Sequence, residues 1–211
     1  FTVYLGYNVR QKVFLIKRLE ERSNLRNIAD AGVKRALIQL QSLDPERDYK
    51  TLIDDWADNP YLFQDINFGS GSYSVCYNYY SKAEINTRFG LMDEERKINI
   101  NKADAGIMQR IFKLVLNISE GQAADLAYSI IDWRDSDNQL SSSNGAESAY
   151  YQSLKYPYKA KNAEFEVLDE ILLVKGINQE IFDKIKGYIT IYGDGRVNIK
   201  TASRQALLAL G

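Results

Sequence analysis

Between Asp132 and Tyr151 the sequence gathers oxygen donors. Asp132, Asp135 and Asp137 fall within six residues, a Ser-rich loop follows, and Glu147 comes after Gly145-Ala146. Carboxylates mixed with amide and backbone carbonyl oxygens, and free of nitrogen or sulfur donors, suit a hard cation, Ca²⁺ rather than Zn²⁺. The spacing is not that of an EF-hand. Counting from Asp135, position six is Leu140 rather than Gly and position twelve is Ala146 rather than Glu. Asp132, Asp135, Asp137 and Glu147 are therefore candidate ligands of a Ca²⁺ ion. Asp and Ser also solvate surface loops and cap helices, and composition alone leaves that reading open.

Other chemistry finds less support. The chain has no histidine, which removes Ser-His-Asp and Cys-His catalysis and imidazole metal sites. The single Cys76 permits no internal disulfide and no zinc cluster. No nucleophile–base pair stands out, and Asp54-Asp55 reads as loop charge, so no enzymatic activity is expected. With 27 basic and 28 acidic residues the net charge is −1, without the footprint of a nucleic-acid binder. The turn Leu173-Val174-Lys175-Gly176-Ile177 nevertheless has the form of a helix-hairpin-helix, whose backbone amides hold a phosphate in DNA-binding versions. Asn178 stands where a second Gly is usual, and a tight turn between packed helices accounts for the same residues. As a nucleic-acid-binding protein, the alternative reading, the chain would carry a basic face around Lys175, Lys184 and Lys186.

These residues need elements to hold them. The 3.6-residue spacing of Leu25, Ile28, Ala29, Gly32, Val33, Ala36, Leu37 and Leu40 predicts one long helix over about 13–43 with one apolar stripe. Asp44-Pro45 should end it. Gly32 inside a helix costs on the order of 1 kcal/mol against Ala, so a close neighbour is expected there. Strands are expected over 62–68, over the alternating Tyr73, Val75, Tyr77 and Tyr79, and over 88–92 and 97–101, the last two joined by a hairpin at 93–96. From Lys102 the period is helical. Ile107, Ile111, Leu114 and Val115 mark one helix. Ser119 and Gln122 form a capping box for the next, which buries Leu126, Ile130 and Trp133 up to the acidic loop. Short helices are expected over 146–154, 168–173 and 179–186. Ile98-Asn99-Ile100-Asn101-Lys102-Ala103 is echoed by Val197-Asn198-Ile199-Lys200-Thr201-Ala202, a weak repeat that should start a helix each time. No apolar run is long enough to span a bilayer.

Several stretches resemble a known family. Leu25 through Ala36 resembles the helix that follows the membrane segment in type IV pilin-like proteins. Asp93 through Asn101 resembles the entry to the helical domain of the K-type minor pseudopilin of type II secretion systems. The likeness continues through Asp132-Trp133-Arg134-Asp135, Gly145-Ala146-Glu147, Tyr150, Lys161-Asn162, Glu170 with Val174 and Gly176, and 197–202. The resemblance implies an α+β, type IV pilin-like fold: a long N-terminal helix on a small antiparallel sheet, with a large inserted all-α, SAM/helix-hairpin-helix-like domain. The pilin-like part would span 1–101, the inserted domain 102–195, and 196–211 would begin a second helical module or return to the pilin domain. The function implied is a non-enzymatic tip or cap subunit of the pseudopilus, with the I-type and J-type minor pseudopilins and the major pseudopilin as partners, and no nucleic acid. It also implies an N-terminal anchoring helix in the bacterial inner membrane, missing from this chain, with this part in the periplasm; family members usually continue well beyond the last helix, so an end at Gly211 fits a truncated chain or a short, divergent member. Calcium in the helical domain is a feature of the family and maps onto Asp132, Asp135, Asp137 and Glu147. The family often has an acidic residue after G-A-E; Ser148 stands there, which weakens a second cation site.

Overall fold

The computed structural model describes residues 2–43, 51–81 and 84–211. They form two compact units, Phe1–Met92 and Asp93–Gly211, in a mixed architecture of helices and small sheets.

The first unit is built on α1, Thr2–Gln41, about 60 Å long at 1.5 Å per residue. It begins well before residue 13, and the expected stop at Asp44-Pro45 lies outside the described residues. A short α2 (Pro60–Phe63) leads into two antiparallel hairpins, β1 (Ile66–Phe68) with β2 (Gly71–Tyr73), and β3 (Cys76–Ser81) with β4 (Glu84–Phe89). Pro60 at the first helical position presets the backbone for a turn of helix, and Asp65 adopts a left-handed φ of 50°. Only the end of the expected 62–68 strand is therefore extended. The alternating tyrosines likewise belong to two strands, because the chain breaks at Ser74-Val75, where Ser74 Oγ accepts from Asp65 N and Val75 N donates to Phe63 O.

The apolar stripe of α1 is narrower than its spacing suggests. Ile28, Gly32 and Ala36, four residues apart, are buried, while Leu25, Val33, Leu37 and Leu40 remain exposed. Gly32 is small for a reason: a Cβ there would lie 3.2 Å from Tyr73 and 3.5 Å from Val75. The loop before α2 buries Trp56 and Ala57 under Gly90.

In the second unit, Asp93–Arg96 is not a hairpin turn. Asp93 caps a single 3-10 turn, Glu94–Arg96, and β5 (Ile98–Asn99) pairs in parallel with β6 (Ile189–Thr190) rather than antiparallel with the preceding strand. The rest is helical: α3 (Ala105–Leu116), α4 (Glu120–Arg134), α5 (Ser148–Gln152), a 3-10 turn at Leu168–Leu173, α6 (Gln179–Ile185) and α7 (Arg204–Leu210). One core runs through it, from Ile98 and Ile100 through Phe112, Ile130 and Trp133 to Ile185 and Ala209. The buried face of α3 is Met108, Ile111 and Phe112, rotated from the expected one; Leu114 points to solvent.

The repeat is a structural one. Asn99 Oδ1 accepts from Asn101 N at 2.8 Å and Asn198 Oδ1 from Lys200 N at 3.0 Å, and each then leads to an N-cap, Asp104 or Ser203. Each copy is braced by the segment that precedes the other. Asn99 donates to the carbonyls of Tyr192 and Gly193, and Asn198 donates to Asp93. This clasp ties the start of the unit to its end.

Candidate metal centre

The acidic loop joins two helix ends. The Ser119–Gln122 capping box forms as its sequence predicts and starts α4. That helix buries Ala123, Leu126, Ala127, Ile130 and Trp133 on one face, and the same periodicity carries Asp132 inward, where it is fully buried. Asp135 is the C-cap of α4, its amide donating to Ile131 O. Glu147 is the N-cap of α5 and is only 4% exposed. Two carboxylates thus crowd the negative end of a helix dipole, an arrangement that repels anions and favours a cation.

One oxygen from each of Asp132, Asp135 and Glu147 lies within 4.8 Å of the others. Oxygens around a common Ca²⁺ at 2.3–2.6 Å are at most about 5 Å apart, so the trio has the right size. Its hydrogen bonding is half complete. Asp132 Oδ1 accepts from Ser141 N at 2.9 Å, and Glu147 Oε2 from Ser148 N at 3.3 Å. The other two oxygens, Asp132 Oδ2 and Glu147 Oε1, are buried without a hydrogen-bond partner. A buried, unpaired carboxylate oxygen is costly. The electrostatics reflect it: burial first, then the charge of Asp132, pushes the Glu147 carboxyl up to about 7, and burial raises Asp135 as well.

Asp137, the fourth expected ligand, stands outside the trio. Its Oδ1 accepts from Gln139 N at 2.7 Å, and its main-chain carbonyl accepts from Asn162 Nδ2. It folds the loop back toward Asn162, whose own amide donates to Trp133 O and whose Oδ1 is another buried oxygen without a partner.

Spacing alone missed the residues that shape the site. Gly145 has no room for a side chain, since a Cβ there would lie 1.8 Å from Asp132 Oδ2. Trp133, Tyr151 and Tyr158 form an aromatic wall with ring centroids 5.0–6.1 Å apart, and Tyr151 is buried enough that its hydroxyl is pushed well above the ordinary tyrosine range. A Gly followed by Ala and then Glu was a usable hint of close approach. The aromatic wall left none beyond tyrosine abundance.

Comparison with known proteins agrees with the helical part first. The family described as "Type II secretion system (T2SS), protein K" matches residues 84–194, just over half of the chain. A type II secretion system protein K from Aeromonas hydrophila is 34% identical over 88 residues, which are 41% of this chain and 27% of that protein. The matched part is thus about a quarter of the relative's length. Among solved structures, the GspK-GspI-GspJ complex of the type 2 secretion system from enterotoxigenic Escherichia coli includes a chain of similar fold. Its TM-score is 0.63 at 18% identity, covering 92% of this chain and 68% of that one. The chain belongs to the type II secretion system protein K family.

Proposed function

We propose that this chain is part of a minor pseudopilin, a non-enzymatic subunit that sits at the tip of a type II secretion pseudopilus and starts or limits its assembly for protein export. The match to the protein K family over residues 84–194 carries the reading. The likeness in fold to a chain of a complex named for K, I and J subunits supports I-type and J-type minor pseudopilins as its partners; the major pseudopilin would lie below. On this reading the first unit is a pilin-like domain and the second a helical insertion whose bulk blocks further addition above it. The location that goes with the role is the inner membrane, with this part in the periplasm. Among the described residues no helix is long and apolar enough to cross a membrane, so an anchor would lie outside them.

In this reading Asp132, Asp135 and Glu147 hold Ca²⁺, with Asp137 shaping the loop, and the ion pins the end of α4 to the start of α5. The two buried carboxylate oxygens without partners are the observation in its favour. The nucleic-acid reading gains nothing from the same region. Lys175 turns onto the carbonyls of Asn144 and Gly145, while Lys184 and Lys186 pair with Glu180 and Asp183.

Co-purification tests the assembly role. Tagged chain expressed with the I-type and J-type subunits of its own system should retain both through gel filtration. Elution of the chain alone, with both partners folded, contradicts it.

A further inference from the structure

Lys175 sits in the tight turn before α6, next to buried Val174 and to Gly176, whose φ of +82° turns the chain. Its ammonium donates to Gly145 O at 3.1 Å and Asn144 O at 3.4 Å, and lies 5.2 Å from the centre of the Tyr150 ring. Its main-chain amide donates to the hydroxyl of buried Tyr151 at 3.2 Å. Among the described residues it forms no salt bridge. A half-buried ammonium would ordinarily be expected to pair with a carboxylate. Instead it is spent on two carbonyls of the arm that carries Glu147.

The same arm meets the acidic trio. Gly145 presses against the Asp132 carboxylate, Ala146 is buried, and Glu147 follows with its free oxygen. A contiguous path runs from the Lys175 turn through the Gly145 carbonyl to both orphaned oxygens. We propose that Lys175 is a positioning residue of the cation site: it fixes the Asn144–Glu147 arm so that Glu147 faces Asp132 and Asp135, and leaves their charge for an external divalent cation. The inference rests on the calcium reading above. It gives the helix-hairpin-helix-like turn a role inside the protein.

The sign of the effect separates positioning from plain electrostatics. Deleting a nearby positive charge should tighten binding of a cation, whereas loosening the arm should weaken it. Outer-shell partners of metal ligands typically change affinity by about 10- to 100-fold. The experiment is isothermal titration of the whole 211-residue chain with CaCl₂, comparing wild type, Lys175→Met and Lys175→Arg. Circular dichroism and thermal unfolding in chelator verify that each variant is folded, and Lys175→Gln replaces Lys175→Met if the latter is not. Calcium affinity should fall at least about tenfold in the Met or Gln variant, with most of it restored by Arg. Unchanged or tighter binding by the Met or Gln variant, with a wild type that binds, overturns the positioning role and leaves the calcium site standing. A wild type that takes up no calcium overturns both.

Discussion

Two carboxylate sites in the second unit make an instructive pair. Asp93 is half-buried and complete: Oδ1 accepts from Glu95 N at 2.9 Å, and Oδ2 accepts from Asn198 Nδ2 at 2.9 Å and Thr201 Oγ1 at 2.7 Å. It ties the segment before the first repeat to the second repeat and needs nothing further. Asp132 and Glu147 are more deeply buried, yet each keeps one oxygen without a donor, and they share their space with Asp135. The protein can satisfy a carboxylate fully when it serves only structure. The incomplete site, with three converging carboxylate oxygens, is what the proposed calcium ion would complete.

The comparison can be broken in order of expected effect. Gly145→Ala should act most strongly, because the new Cβ overlaps the Asp132 carboxylate and forces the arm away. We expect about 3 kcal/mol of lost stability and loss of calcium binding, read by chemical denaturation and titration. Asp93→Ala should cost about 2–3 kcal/mol equally in calcium and in chelator, since it removes the acceptor used by Asn198 Nδ2, Thr201 Oγ1 and Glu95 N without touching the acidic loop. A dependence on calcium there would erase the distinction between the sites.

Asp132→Asn should split by condition. In chelator it removes a repelling charge and should be neutral or stabilising by about 1 kcal/mol; with calcium present it should lose the response that the wild type shows. The pH dependence follows from Glu147. Its carboxyl is raised from an ordinary 4.5 to about 7, so the calcium-free fold prefers it protonated. Stability in chelator should be greatest below about pH 4.5 as far as this group is concerned, and decline as pH rises through 7. Calcium should oppose the decline, because binding releases that proton. Asp137→Asn should do least, weakening calcium only a few-fold: an Asn oxygen can still accept from Gln139 N, and the residue stands outside the trio.

The two units also differ in how much their sequence disclosed. In the second, the capping box at Ser119, the burial of Leu126, Ile130 and Trp133, and the repeat at Asn99 and Asn198 were legible, because local hydrogen bonds and period set them. The pairing of β5 with β6 was not, since strands of two residues some ninety positions apart leave no local signature. Along α1, spacing indicated the helix but not its partners: Ile28 meets Gly71 and Gly32 meets Tyr73 and Val75, while Leu25, Val33, Leu37 and Leu40 stay exposed. At the acidic loop, residue types suggested the cation. Which oxygens converge depended on Gly145 and on the folding back of Asp137, both tertiary facts.

Thermal unfolding of the whole chain in calcium, in magnesium and in chelator tests the central claim most directly. A ligand at about 100 times its Kd adds about 2.7 kcal/mol to the folded state. For a chain of this size calcium should therefore raise Tm by about 5–10 °C over chelator. Magnesium should do much less, because it demands shorter bonds and near-octahedral geometry, and Asp135→Ala should abolish the calcium shift. One Tm in all three solutions, with Asp135→Ala matching wild type, would contradict the account.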